Sequence, residues 1–299
     1  RQRQMWIRDS NKNSVKALTG EAVQLYEAKF GFNQNTHRIA VGEPLGQFYG
    51  YITEGLYQVD DFNYDASTQT YTLKDGVSYH GDKGQIRPGM WKFKNIDGSK
   101  DNKITEADKT VIGNAYPKIY GGINNTFTYK DFDLSIFLTY SIGNDVFNAT
   151  KLTNTKTALQ NKNVLAVADS KHRWVLVNKA GDLITDPQEM ADINKGKTVA
   201  AIYDNEAGDT YIHSWAVEDG SFLKLSNITL GYTFPKKMIR KVGLSKLRLY
   251  ATGSNLLTWT KYSGFDPEVS TMGNGLTPGV DFGAYPRSRA FVFGINLAF

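Results

Sequence analysis

The sequence points to an all-β fold, an antiparallel transmembrane β-barrel segment of about six to eight strands with long loops at one end. Three observations carry this expectation. Several long stretches alternate large apolar residues with small or polar ones, the period of a β-strand. The links between those stretches run short, long, short, long. Glycine and tyrosine are abundant and proline is sparse (28, 17 and 8 in 299 residues), which fits strands and turns rather than disorder.

The elements follow in chain order. One or two strands are expected within residues 1–33, around MWIRD and AVQLYEAKFGF, and another over 44–58. In INNTFTYK, Ile123, Phe127 and Tyr129 oppose Asn124, Thr126, Thr128 and Lys130, which predicts a strand over 119–129. In FDLSIFLTY, Phe132, Leu134, Ile136, Leu138 and Tyr140 oppose Asp133, Ser135 and Thr139, giving a strand over 132–143 with Phe137 as the exception. SNITLGYTF sets Ile228, Leu230, Tyr232 and Phe234 against Asn227, Thr229, Gly231 and Thr233, within a strand over 219–234. KLRLYATGSNLLTW alternates more weakly and predicts 246–259. The last strand, over 287–299, sets Phe291, Phe293, Ile295, Leu297 and Phe299 against Val292, Gly294, Asn296 and Ala298.

Such strands are long for a soluble sheet, where about five or six residues is usual. A tilted membrane strand needs about 9–11. Alternation alone fits both a soluble sandwich, with the oily face inward, and a membrane barrel, with that face toward lipid. The connections favour the barrel. Lys130–Asp131 is a tight turn, and Phe234 to Lys246 is short. Tyr140 to Trp215 is long and polar, and Trp259 to Pro286 is long and Gly-rich. Short periplasmic turns and long extracellular loops have this rhythm. Tyr129, Phe132 and Phe234 lie toward the short turns, and Trp259, Tyr262 and Tyr285 toward the long loops, as two interfacial girdles would. The same rings also read as ordinary core aromatics.

Other classes fare poorly. There is no cysteine, hence no disulfide scaffold or thiolate metal site. No apolar run is long enough for a membrane helix. The net charge of +5 is dispersed. Its densest run, Lys236, Lys237, Arg240 and Lys241, reads as a solvated turn, and no nucleic-acid partner is expected. His37, His80, His172 and His213 are scattered, and no HExxH, GxSxG or phosphate loop occurs, so no enzyme is expected.

Five blocks are more specific. VGEPLGQFYGYITEGLYQ (Val41–Gln58), DKTVIGNAYPKIYGGINNTFTYKDFDLSIFLTYSIGNDVFN (Asp108–Asn148), VEDGSFLKLSNITLGYTFP (Val217–Pro235), LRLYATGSNLLTWTKYSGFDPEV (Leu247–Val269) and PGVDFGAYPRSRAFVFGINLAF (Pro278–Phe299) resemble the C-terminal part of the SusC/RagA family. These are TonB-dependent outer-membrane importers of the Bacteroidetes. Residues 1–38, and about 150–214, match no such pattern. The resemblance implies a barrel of roughly 22 strands around an N-terminal plug. It also implies a SusD-like surface lipoprotein as lid, energy from the TonB complex, and import of glycan or peptide oligomers across the outer membrane. Residues 1–299 would then be the C-terminal part of such a barrel, with plug and remaining strands elsewhere, because open strand edges are not tolerated in lipid.

DGSKDNKITEAD (Asp97–Asp108) has the spacing of an EF-hand loop, and the family often carries a similar acidic loop there. Its ligand positions are Asp97, Ser99, Asp101, the Lys103 carbonyl, Thr105 and Asp108, with Asn102 where a left-handed residue is needed. A structural Ca2+ is one reading, and an Asx-rich turn without an ion is the other. Tyr64, Tyr71, Trp174 and Tyr211 are candidate loop contacts for cargo. The alternative to an importer is a soluble all-β carbohydrate-binding module with a structural calcium. The terminal Phe299 resembles an assembly signal of outer-membrane barrels, so Phe299→Asp is expected to lower the amount of assembled protein at the membrane. Undiminished folded barrel on unheated gels would contradict this.

Overall fold

The computed structural model describes residues 2–27, 35–156, 163–202, 211–271 and 275–299. Six strands form one sheet, here called the wall: β1 (Gln2–Ser10), β2 (Ile119–Tyr129), β3 (Phe132–Ile142), β4 (Phe222–Thr233), β5 (Lys246–Thr260) and β6 (Ala290–Ala298). Their order in space is their order in the chain, every neighbouring pair is antiparallel, and the sheet is open, with β1 and β6 as edges. Consecutive antiparallel strands need only tight links where they meet. Lys130 turns β2 into β3 at φ 51°. A short helical link, α3 (Lys236–Ile239) with one further turn, joins β4 to β5 at the same end. The links 11–118, 143–221 and 261–289 all leave the opposite end.

The register gives the wall two different faces. One row across it reads Phe127, Leu134, Leu230, Ala251 and Phe293. The adjacent row reads Thr126, Ser135, Thr229, Thr252 and Val292. Period-two geometry puts these rows on opposite sides. Phe291, Phe293, Ile295 and Leu297 fall on the apolar face, and Gly294, Asn296 and Ala298 on the polar one. Phe299 follows β6 and is almost fully exposed. A bulge at Ser226 explains why the alternation in β4 changes parity, so that Leu223 and Leu225 share a face with Ile228 and Leu230. On the polar face Phe137 lies over Gly122, where any Cβ would come within 2.9 Å of the ring. The exceptional Phe137 therefore faces the polar side by design of its neighbour.

The apolar core lies in the loops rather than the wall. One cluster joins Phe48 of the first long link to Phe147, Leu152, Ile212 and Ala216 of the second and Val280 of the third. The three links thus pack into one cap. Two short helices stiffen it, α1 (Ala149–Asn154) and α2 (Pro187–Asn194). Asn148 and Asp186 cap them, accepting from Lys151 N at 2.8 Å and Glu189 N at 2.7 Å.

Two expectations are corrected here. Residues 44–58 are no wall strand. They break into Gln47–Gly50, paired with Thr110–Asn114, and Thr53–Leu56, paired with Trp91–Phe93. The reason is backbone approach: a Cβ on Gly50 would meet the Ile212 carbonyl oxygen at 2.3 Å, and Gly55 sits at φ 94°. Val23–Glu27, within AVQLYEAKFGF, likewise pairs in a small cap sheet, and residues 28–34 lie outside the described residues. MWIRD, in contrast, belongs to wall strand β1.

Of the aromatic girdles, the short-turn end forms a connected ring cluster, Phe132 to Tyr232 at 4.6 Å and Tyr232 to Phe234 at 4.9 Å, beside exposed Tyr129. At the other end Trp259 is on the apolar face, but Tyr262 is not in a girdle. It is buried in the cap, and its hydroxyl donates to Asp281 Oδ2 at 2.5 Å.

Candidate functional site

The polar face of the wall meets the third link in a cavity of about 550 Å3, lined by Tyr120, Phe137, Thr139 and Phe222 of the wall and by Glu268 and Pro278 of the link. What holds the link there is an ion cluster. Lys224 projects from β4 on the polar face and is 3% exposed. Its ammonium contacts Glu268 and lies 3.6 Å from Asp266, while Arg287 approaches Glu268 at 3.4 Å. The Asp266 carboxylate also accepts Glu268 N at 3.0 Å, which folds GFDPEV back on itself. A buried ammonium requires such partners, since an unpaired charge there costs several kcal/mol, of order 3–5. Nearer the short-turn end, Arg248 reaches across Gly231 to make a bidentate pair with Asp133 at 3.0 and 2.6 Å. Gly231 leaves room for the pair, since a Cβ there would come within 2.4 Å of the guanidinium and displace it.

A second cavity, of about 350 Å3, opens in the cap beside Lys151, Glu218 and Phe265. Lys151 pairs with Glu218 at 3.0 Å and lies 4.1 Å over the Trp215 ring. Burial pushes the Glu218 carboxyl up, but the bonds from Ser263 and Lys151 outweigh it and leave it below its ordinary value. Among the described residues no three His, Asp or Glu side chains converge as metal ligands.

The cap also encloses two histidines. His37 shares a contact of 2.9 Å with the Pro278 carbonyl, and His213 one of 2.7 Å with Thr53 Oγ1. Burial lowers their pKa values to about 4 and about 3, with Lys156 and Lys151 adding to the effect on His213. Both are neutral in the folded cap and take up a proton on unfolding below about pH 6.5. Cap stability is therefore complete above that pH and falls as pH drops toward 4, by about 1.4 kcal/mol per pH unit per histidine. Limited proteolysis of the cap is expected to accelerate between pH 6 and 4.5. Constant protection over that range would contradict the assignment.

The Asp97–Asp108 loop lies in the cap, and Asn102 adopts the expected left-handed conformation at φ 56°. Its carboxylates bond to the loop's own backbone. Asp108 is fully buried and accepts from the backbone N–H of Ile96 at 2.7 Å, Asp97 at 3.2 Å and Thr105 at 2.8 Å. Asp97 accepts from Ser99 N, and Asp101 from Lys103 N, a bond that holds the Asp101 carboxyl below its ordinary value. Ser99, Lys103 and Thr105 therefore serve turns: Thr105 caps the short helix Glu106–Asp108. The loop is thus braced by its own backbone. Asp108→Ala removes the acceptor from three donors, at about 1–3 kcal/mol for each one left buried. Amide exchange over 95–105 is expected to rise by at least tenfold, with no rescue by millimolar calcium. Rescue by calcium would contradict the backbone-braced reading.

The aromatic cargo candidates do not line the cavity on the wall. Trp174 is core, the Tyr64 and Tyr71 rings pack on each other tilted at 4.8 Å, and Tyr211 packs on Tyr51, His80 and Phe93. The residues that sequence reasoning passed over are Lys224, Asp266, Glu268 and Arg287. Their signal was present: a lone lysine in the apolar run SFLKLSNITLGY, and two acids in GFDPEV.

No family model matches the chain. Among curated proteins, a protein named TonB-dependent receptor P3, of Formosa agariphila, is 31% identical over 296 residues, covering 97% of this chain and 26% of that protein. TonB-dependent receptor P39 of the same organism is 30% identical, covering 97% and 28%. TonB-dependent receptor SusC of Bacteroides thetaiotaomicron is 28% identical over 206 residues, covering 68% and 17%. The chain thus spans about a quarter of the length of the first curated relatives. Among solved structures, the RagAB peptide importer in its open-open state superposes with a TM-score of 0.61 at 20% identity, covering 100% of this chain and 26% of that one. These relatives are named as receptors and transporters rather than enzymes. An antiparallel wall with one capped end, matched in this way, defines a segment of a TonB-dependent receptor, a class of outer-membrane proteins. Within that class the chain is a SusC/RagA-like segment.

Proposed function

We propose that this chain supplies barrel wall and extracellular cap to a TonB-dependent importer of oligomeric nutrients, glycans or peptides, in the bacterial outer membrane. The observation that carries the reading is the two-faced wall. Its apolar face is uncovered among the described residues, with Leu230 52%, Phe291 66% and Phe293 80% exposed. A soluble carbohydrate-binding module would bury that face, and contiguous apolar surface of this kind marks an interaction site. Toward lipid it is favourable, and the polar face then lines the lumen. The cap sits at the extracellular end, where a SusD-like surface lipoprotein would close over it. Coupling to the TonB complex belongs to the N-terminal part of such a receptor, as does the plug. Uptake of labelled oligosaccharide and peptide pools by cells with and without the intact receptor tests this. Uptake of one pool is expected to require both the receptor and TonB. A receptor that stays in solution without detergent, or deletion without effect on either pool, would overturn it.

A further inference from the structure

The link between β4 and β5 carries a charge pattern that the importer reading leaves unused. Lys236, Lys237, Arg240 and Lys241 are all exposed on its short helical turn. Lys236 and Arg240, and Lys237 and Lys241, stand four residues apart, as do Met238 and Val242. Residues so spaced share a helix face, and like charges there repel. No acid lies between Pro235 and Lys246, and no ion pair among the described residues involves any of the four. Met238 and Val242 are 60% and 71% exposed, while Ile239 between them is buried and anchors the turn. Lys236, Lys237 and Arg240 border a cavity of about 490 Å3 that Phe299 closes on one side, and Phe299 continues the parity of the apolar residues of β6. Unneutralised cations and outward apolar residues therefore adjoin the edge of the apolar face.

We infer that this turn binds the phosphates of anionic phospholipid in the leaflet at the short-turn end of the barrel. Met238 and Val242 enter the acyl boundary, and the four cations sit at headgroup level. Basic side chains beside an inserted apolar pair are the recognition pattern of an anionic lipid surface. The attraction neutralises two repelling pairs at once. The inference rests on the membrane placement proposed above, so the test reads the two separately.

The intact receptor and the variant Lys236→Gln/Lys237→Gln/Arg240→Gln/Lys241→Gln are incorporated into vesicles of phosphatidylcholine with one-fifth phosphatidylglycerol. Co-flotation reads membrane placement, and native mass spectrometry of detergent-released protein reads retained lipid. Wild type is expected to float and to retain phosphatidylglycerol over phosphatidylcholine. Each cation removed is expected to lower that preference roughly fivefold. Retention is also expected to fall in 0.5 M salt, because exposed charges are screened. A wild type that does not float overturns the membrane reading. A wild type that floats, with a variant retaining equal phosphatidylglycerol, overturns this inference alone. If the variant fails to assemble, salt-independent retention by wild type overturns it.

Discussion

Ile228→Arg is expected to prevent assembly of the barrel, whereas Thr229→Arg, one residue away, is expected to assemble. Ile228 lies between Ile136 and Gly253, near the middle of β4 on the apolar face. An arginine near the bilayer midplane of a barrel costs about 2–4 kcal/mol, because its guanidinium loses water and finds no partner in hydrocarbon. Thr229 points to the other side, where its hydroxyl lies 2.9 Å from that of Thr252 and the lumen remains wet. The measurement is the fraction of protein that migrates as the compact folded form on an unheated gel after outer-membrane isolation. Equal fractions for the two variants would mean that the two faces do not differ in solvent.

Lys224→Met is expected to release the third link from the wall. The variant keeps the side-chain volume but leaves Asp266, 7% exposed, and Glu268 without their ammonium. Arg287 is mostly exposed and is a poor replacement. Breaking a buried pair by removing one partner costs about 3–5 kcal/mol. Proteolysis within 261–289 is expected to accelerate by two orders of magnitude or more, with the wall still compact. Lys224→Met/Glu268→Met should recover part of the protection, since a buried carboxylate is removed along with its partner. Unchanged proteolysis in the single variant would show that the link is held by packing alone.

The wall was legible in the sequence because its physics is local. One face meets a uniform apolar medium, so every second residue answers to the same constraint, and strands such as 119–129 can be read without knowing their neighbours. The exceptions had structural causes that a linear reading does not contain. The bulge at Ser226 changes parity, and Phe137 needs Gly122 across the strand. The cap was not legible in this way. Its strands are short and pair with distant segments, as where Asp145–Asn148 meets Val280–Asp281 in parallel. Residues 44–58 read as one strand, yet Gly50 lets the backbone pass close to residue 212. The acidic loop showed the converse limit. Its spacing specifies a tight turn with oxygens pointing inward, and both a cation and a set of backbone donors satisfy that geometry. In this structure the Ile96, Asp97 and Thr105 amides meet part of it, at Asp108.

The placement of the final strand can be read directly. The chain has no cysteine, so single cysteines at positions 292 to 297 of the receptor carry spin labels without competition from this segment. Collision rates with oxygen, which concentrates in lipid, and with a water-soluble nickel chelate are measured in bilayers. Labels at 293, 295 and 297 are expected to be oxygen-accessible, and those at 292, 294 and 296 nickel-accessible, alternating with period two. Equal nickel access at all six positions would contradict a lipid-facing wall.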